Sequence, residues 1–153
     1  MTVEERNKAL CDKYPWLYPR NVWTDEKVED YDYSYTLLDQ MPTGWRLAFG
    51  EQMCEELRKV LAKANYEKDY RVVQIKEKYG ELRWYDNGAP VTIFDEIQKI
   101  IGKYSDLSQK ICICCGKPAT RISLGWISPW CDECSPKNEK TISIEEWESE
   151  DLI

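Results

Sequence analysis

The chain has 153 residues, 42% of them apolar and 32% charged, with seven cysteines, no histidine and a net charge of −7. That length suits one domain, or one domain with a small appendage. The lack of histidine excludes Ser-His-Asp and Cys-His nucleophile systems, H-E-x-x-H metalloproteases and His-dependent zinc nucleases and deaminases, so an enzyme would have to work through paired carboxylates.

The charge is uneven. Residues 1–40 hold nine acids and five bases, residues 135–153 six acids and two bases, and the stretch between them thirteen acids and fourteen bases. Acidity therefore belongs to the two ends, which disfavours nucleic-acid binding by a broad basic surface but leaves room for a local one. Residues 1–10 are charged and polar, unlike a signal peptide, and no run approaches the ~18 apolar residues of a membrane span. With an odd number of cysteines, this predicts a reduced, cytoplasmic protein with no membrane partner.

Residues 2–13 read as a short helix, with Thr2 as N-cap, Glu5 three residues on, and Val3, Leu10 and Cys11 as a thin apolar side. Two prolines in Tyr14-Pro15-Trp16-Leu17-Tyr18-Pro19 end it, and the rings around them suit a loop stapled to the core. Residues 31–37 alternate with period two, which predicts a strand with Tyr31, Tyr33 and Tyr35 on one face. After the turn at Met41-Pro42-Thr43-Gly44 comes the longest helix, its apolar face formed by Trp45, Phe49, Met53, Leu57, Val60, Leu61 and Ala64. Residues 70–76 and 81–85 predict a β-hairpin turning at Lys78-Tyr79-Gly80. Lys76, Lys78 and Arg83 lie on it with Glu77 and Glu81 interleaved, which reads as a solvated mixed-charge face. Thr92 is the expected N-cap of a last core helix bearing Ile93, Ile97, Ile100, Tyr104 and Leu107, which runs almost into Cys112.

Cys112 and Cys115 make one C-x2-C pair and Cys131 and Cys134 another, with fifteen residues between the pairs. Each pair brings two thiolates to one side of a tight bend, and two bends complete a tetrahedron, the four-cysteine zinc pattern. Gly116 follows the first pair, where the chain needs positive φ. Two disulfides would use the same residues but need an oxidising compartment. Four thiolates fill the shell and leave no Lewis-acid position, so the zinc is expected to be structural. Cys114 is either a spare thiol or a replacement for one ligand. Residues 120–124 and 126–130 suit two short strands turning at Gly125, with the module docked at the end of the last core helix. Beyond Cys134 the apolar Ile142, Ile144, Trp147, Leu152 and Ile153 are set among Glu145, Glu146, Glu148, Glu150 and Asp151. Such a segment is either a disordered partner-binding tail or a terminal strand and helical turn packed on the body.

These elements predict an α+β fold: a small antiparallel sheet, the β-hairpin, packed on two amphipathic helices, with a C-terminal four-Cys zinc ribbon or knuckle module. Residues 1–110 form the body, 111–134 the module and 135–153 the acidic tail. Tyr14-Pro15-Trp16-Leu17-Tyr18, Gly44-Trp45 opening a helix with Cys54-Glu55-Glu56-Leu57, the run from Arg71 to Tyr85, and Cys115-Gly116-Lys117-Pro118 with Cys131-Asp132-Glu133 together resemble a family of small uncharacterised bacteriophage and prophage proteins. The resemblance spans about residues 11–134. Many members carry a His near the last knuckle, where this chain has Cys134, which fits a four-Cys site. It implies a phage origin and the cytoplasm of a bacterial host, and brings no catalytic residues.

Three functions compete. The first is a non-catalytic accessory protein that binds and modulates a host or defence protein; the absence of His, the N-terminal aromatics and the acidic tail favour it. The second is a nucleic-acid-binding zinc module, for which Lys110, Lys117 and Arg121 surround the site but are balanced by Asp106, Asp132 and Glu133. An enzyme would need carboxylates such as Asp86, Asp95 or Glu96 to converge in a pocket.

Overall fold

Two amphipathic helices lie side by side and a β-hairpin packs on one of them, an α+β arrangement. The computed structural model describes residues 1–21 and 23–151, so Leu152 and Ile153 of the C-terminal segment lie outside the described residues.

Helix α1 (Val3–Lys13) opens with the expected capping box, Thr2 Oγ1 accepting from the Glu5 N–H at 3.1 Å. Its inner side differs from expectation. Val3 is exposed, and Asn7 joins Leu10 and Cys11 in the interior. Trp16 and Leu17, in a short 3-10 turn (Pro15–Leu17), are fully buried, so the proline-aromatic stretch is a staple on the core.

Residues 31–37 do not form the expected strand. Asp30 and Tyr33 have positive φ (55° and 61°), which breaks an extended path. Asp32 Oδ1 accepts from the Ser34 N–H at 3.0 Å, and Asn7 Nδ2 donates to the Tyr33 carbonyl at 2.8 Å. The rings of Tyr31 and Tyr33 gather with Tyr18 instead of lining a sheet face, with centroids 4.6–6.0 Å apart. Among the described residues no strand pairs with this segment, so its alternation has no ladder to enforce it. A 3-10 turn (Leu37–Gln40), capped by Thr36 and Asp39, follows.

Helix α2 runs over residues 43–63, with an α-turn (Thr43–Trp45), a wider π turn (Arg46–Gly50) and a long α segment (Glu51–Lys63). Trp45, Phe49, Met53, Leu57, Val60 and Leu61 are all buried, as their spacing predicts. Strands β1 (Val72–Lys78) and β2 (Glu81–Asp86) pair antiparallel, with Tyr79 and Gly80 both at positive φ in the turn. Ile75, Leu82 and Trp84 form the hairpin's buried face. Tyr70, also buried, donates to Asp86 Oδ2 at 2.6 Å and accepts from Trp84 Nε1 at 3.0 Å.

Helix α3 (Val91–Ser108) packs between α2 and β2. Its N-cap is Pro90, not Thr92; the Pro90 carbonyl accepts from the Ile93 N–H at 3.0 Å and no side chain caps the end. With φ already fixed at −55°, Pro90 leads directly into the first turn. Near the other end, buried Ser108 accepts from the Leu82 N–H at 2.9 Å, joining helix to hairpin.

The C-terminal part holds a three-stranded antiparallel sheet in the order β4-β3-β5: β3 (Arg121–Ser123), β4 (Ser128–Trp130) and β5 (Thr141–Ser143). Residues 141–143 of the acidic segment thus share a sheet with the strand between the two cysteine pairs. Helix α4 (Ile144–Asp151) follows directly, with Ile144 and Trp147 facing Asp106, Gln109 and Lys110 at the end of α3 across a cavity. Among the described residues no helix is long and apolar enough to cross a membrane.

Candidate metal centre

The four ligand sulfurs named from spacing come together. One Sγ from each of Cys112, Cys115, Cys131 and Cys134 lies within 4.8 Å of all the others. A tetrahedral ion bound at ~2.3 Å sets sulfurs about 3.8 Å apart, and Cys115 Sγ and Cys131 Sγ stand 3.6 Å apart. All seven cysteines are free thiols, and a single cluster of four is the arrangement one ion needs, where two disulfides would call for two separate pairs. Cys114 is exposed and outside the cluster, as a spare thiol would be.

Each pair sits on its own tight turn. In the first, the Cys112 N–H donates to the Lys117 carbonyl at 2.7 Å and the Gly116 N–H returns to the Cys112 carbonyl at 3.1 Å. Gly116 has φ +84°, the left-handed conformation its place in the motif demands. In the second, the Ser135 N–H donates to the Cys131 carbonyl at 3.0 Å and the Cys134 N–H points at Cys131 Sγ from 3.4 Å. Burial pushes the Cys112 thiol up, but the backbone N–H groups of Cys131, Cys115 and Cys114 aimed at its sulfur outweigh this and bring it down to about 7. The Cys134 thiol is held above its usual range, chiefly by its hydrogen bond with Cys131. Crowded thiols share protons in this way until a cation replaces them. The donor set, spacing and N–H···S contacts fit a tetrahedral thiophilic metal ion, for which four thiolates would leave no open position.

The module is seated on the first turn of α2 as well as on the end of α3. The Gly44 N–H donates to the Ile113 carbonyl at 2.9 Å, and Trp45 Nε1 donates to the Ile111 carbonyl at 3.0 Å. A Cβ on Gly44 would lie 2.1 Å from the Cys112 carbonyl oxygen, and one on Gly116 would lie 2.7 Å from the Gly44 carbonyl oxygen. Two glycines far apart in the chain thus let the knuckle and the helix start touch backbone to backbone. The Gly-Trp and Cys-Gly pairs mark these positions in the sequence, but nothing local says that they meet.

Two of the three carboxylates considered for catalysis have structural contacts of their own. Asp86 is bonded to Tyr70 and to the Gly88 N–H, Glu96 pairs with Lys63 at 2.9 Å, and Asp95 is exposed on α3. Comparison with protein-family models, with curated proteins and with solved structures gave no match to this chain.

Proposed function

We propose that the chain is a non-catalytic accessory protein of the phage type, in which a structural zinc ion holds a surface that binds and modulates a bacterial host or defence protein in the host cytoplasm. Zinc suits four thiolates in a tetrahedron, has no redox chemistry to manage, and in a closed shell acts by stabilising the fold.

The observation that carries the reading is the pairing of β5 with β3. It ties the acidic segment to the strand between the two cysteine pairs, so that α4 presents Glu145, Glu146 and Glu148 as an exposed acidic ridge on a firm support. A fixed row of carboxylates complements a basic surface, speeds encounter with it and disfavours acidic competitors. The metal therefore serves the ridge through β3 and β5.

Affinity capture from nuclease-treated bacterial lysate with the tagged chain tests this, against a variant carrying Glu145→Lys, Glu146→Lys and Glu148→Lys. A defined protein retained by the parent and lost by the variant is expected. Identical capture by both chains, or none that survives nuclease, would overturn the reading. Elemental analysis of the purified chain is expected to find one zinc per molecule, and iron in its place would refute the metal assignment.

A further inference from the structure

A cavity of about 310 Å³ opens where the proline-aromatic staple, the loop carrying Arg20 and Asp25, and the start of β1 meet. Arg20 and Arg71 line it, and Asp25 is the one acid among the lining residues. Asp25 draws the two guanidinium groups together. Its carbonyl accepts from Arg20 Nη1 at 2.8 Å and its Oδ1 from Arg71 Nε at 3.2 Å. Two arginines against one aspartate leave a net positive charge, and Lys27 adds to it, its Nζ 4.6 Å from the centre of the lining ring of Tyr18. Arg71 is fixed in place, with Nη1 donating to the carbonyls of Lys68 at 2.6 Å and Tyr70 at 2.9 Å. A cation held before a ligand arrives has little freedom left to lose on binding.

What the wall has to spare is donors. The side-chain amide oxygens around the cavity are taken: Asn21 Oδ1 accepts from the Trp23 and Thr24 N–H groups at 2.8 and 3.2 Å. Gln40 Oε1 accepts from the Ile75 N–H at 3.0 Å and Asn87 Oδ1 from the Arg71 N–H at 2.8 Å. Arg20, by contrast, is unsatisfied. It enters no ion pair among the described residues, and its Nε is buried with no hydrogen-bond partner. A buried charged N–H without an acceptor is costly and uncommon in a folded chain. Because Nη1 is committed to Asp25, the unused edge of this guanidinium is the one formed by Nε and Nη2, the edge that grips a carboxylate through two parallel bonds. Arg71 Nη2 also has no partner among the described residues. Trp16, Tyr18, Leu37, Val72 and Val73 supply the apolar part of the wall.

We propose that this cavity binds a small organic monocarboxylate with an apolar body, its carboxylate on the free edge of Arg20 beside Arg71 and its body against Tyr18, Leu37 and Val73. A volume at the small end of ligand pockets, a mostly preformed wall and a few convergent polar groups are the usual features of a small-molecule site. A single negative charge matches the two arginines less Asp25. Inorganic phosphate would bring its second charge up against the Asp25 carboxylate and leave the apolar wall uncovered. A neutral ligand would leave the Arg20 charge unanswered. The site is separate from the metal centre and from the acidic ridge, so it stands whatever partner the ridge binds.

The test is a titration of the full metal-loaded chain at pH 7 with 3-phenylpropionate and with octanoate, followed by amide and arginine Nε–H nuclear magnetic resonance. Saturable shifts are expected at the Arg20 and Arg71 Nε–H signals and at the amides of Val72 and Val73, with a Kd of about 5 mM or tighter for acids of this size. The uncharged 3-phenylpropionamide should bind about ten-fold more weakly or not at all, and inorganic phosphate should not shift these signals saturably. Arg20→Gln should weaken the acids about ten-fold. Val73→Glu alters an exposed strand residue and sets a second carboxylate at the mouth of the cavity. It should weaken the acids as much while melting like the parent, and it decides the matter if Arg20→Gln unfolds. No saturable shift with either acid up to about 10 mM would overturn the proposal. So would equal binding of the amide, phosphate binding as tight as that of the acids, or acid binding that Val73→Glu leaves unchanged.

Discussion

Replacing Gly44 with alanine sets helix propensity against the seating of the metal module. In the first turn of α2 the change favours the helix by at most ~1 kcal/mol. Against that, the new Cβ would lie 2.1 Å from the Cys112 carbonyl oxygen and 2.6 and 2.7 Å from the Ile113 carbonyl carbon and oxygen, where real Cβ atoms essentially never come within 3.0 Å. All three atoms are backbone, so no side chain can swing away and the knuckle must lift off the helix. Overpacking of this kind costs ~1–3 kcal/mol. Lifting the knuckle also strains the Gly44–Ile113 and Trp45–Ile111 hydrogen bonds, each worth ~0.5–1.5 kcal/mol. The balance is a destabilisation of about 3 kcal/mol, or a melting temperature lower by roughly 6–12 °C for a chain of this size. Metal affinity should fall with it, by about ten-fold for each ~1.4 kcal/mol transmitted to the site. Thermal melts and chelator competition on the metal-loaded protein measure both. A variant that melts at or above the parent with unchanged metal affinity would refute the backbone contact between Gly44 and the knuckle.

Cys115→Ser and Cys131→Ser should each weaken metal binding and loosen the C-terminal third, seen as faster amide exchange in β3 and β5; parent-like melting and metal content in both would contradict the metal site. Chelation of the metal should produce the same exchange pattern while the amides of α2 and α3 stay protected. In the metal-loaded chain a single thiol, Cys114, should react quickly with a disulfide reagent at pH 8, because four are metal-bound, burial raises the Cys11 thiol above its usual range and burial pushes Cys54 up to about 12. Peptide mapping that finds a second fast thiol would count against this assignment. Tyr70→Phe leaves the buried Trp84 indole and the Asp86 carboxylate without their shared partner and should cost about 2–3 kcal/mol in urea unfolding. A cost under ~0.5 kcal/mol would mean that the network contributes little.

Features governed by short-range spacing were legible from the residues alone. The C-x2-C pairs name the four sulfurs that cluster because a tight turn forces residues three apart to one side, and the three- and four-residue steps of α2 and α3 name most of the buried faces because a helix has one period, although Leu107 at the end of α3 is exposed. The capping box at Thr2 and the hairpin turn at Tyr79-Gly80 are equally local. Where a neighbour decided the outcome, local pattern misled. The alternation of residues 31–37 met no partner strand, so the tyrosines packed around Tyr18. For residues 141–143 the sequence left a disordered tail and a terminal strand both open, and the free edge of β3 decided for the strand. The close approach of Gly44 and Gly116 belongs to the same class. The clustering of the cysteine pairs and the helix faces are properties of a stretch of chain, whereas what an edge pairs with and where two backbones touch depend on the segments that folding brings alongside.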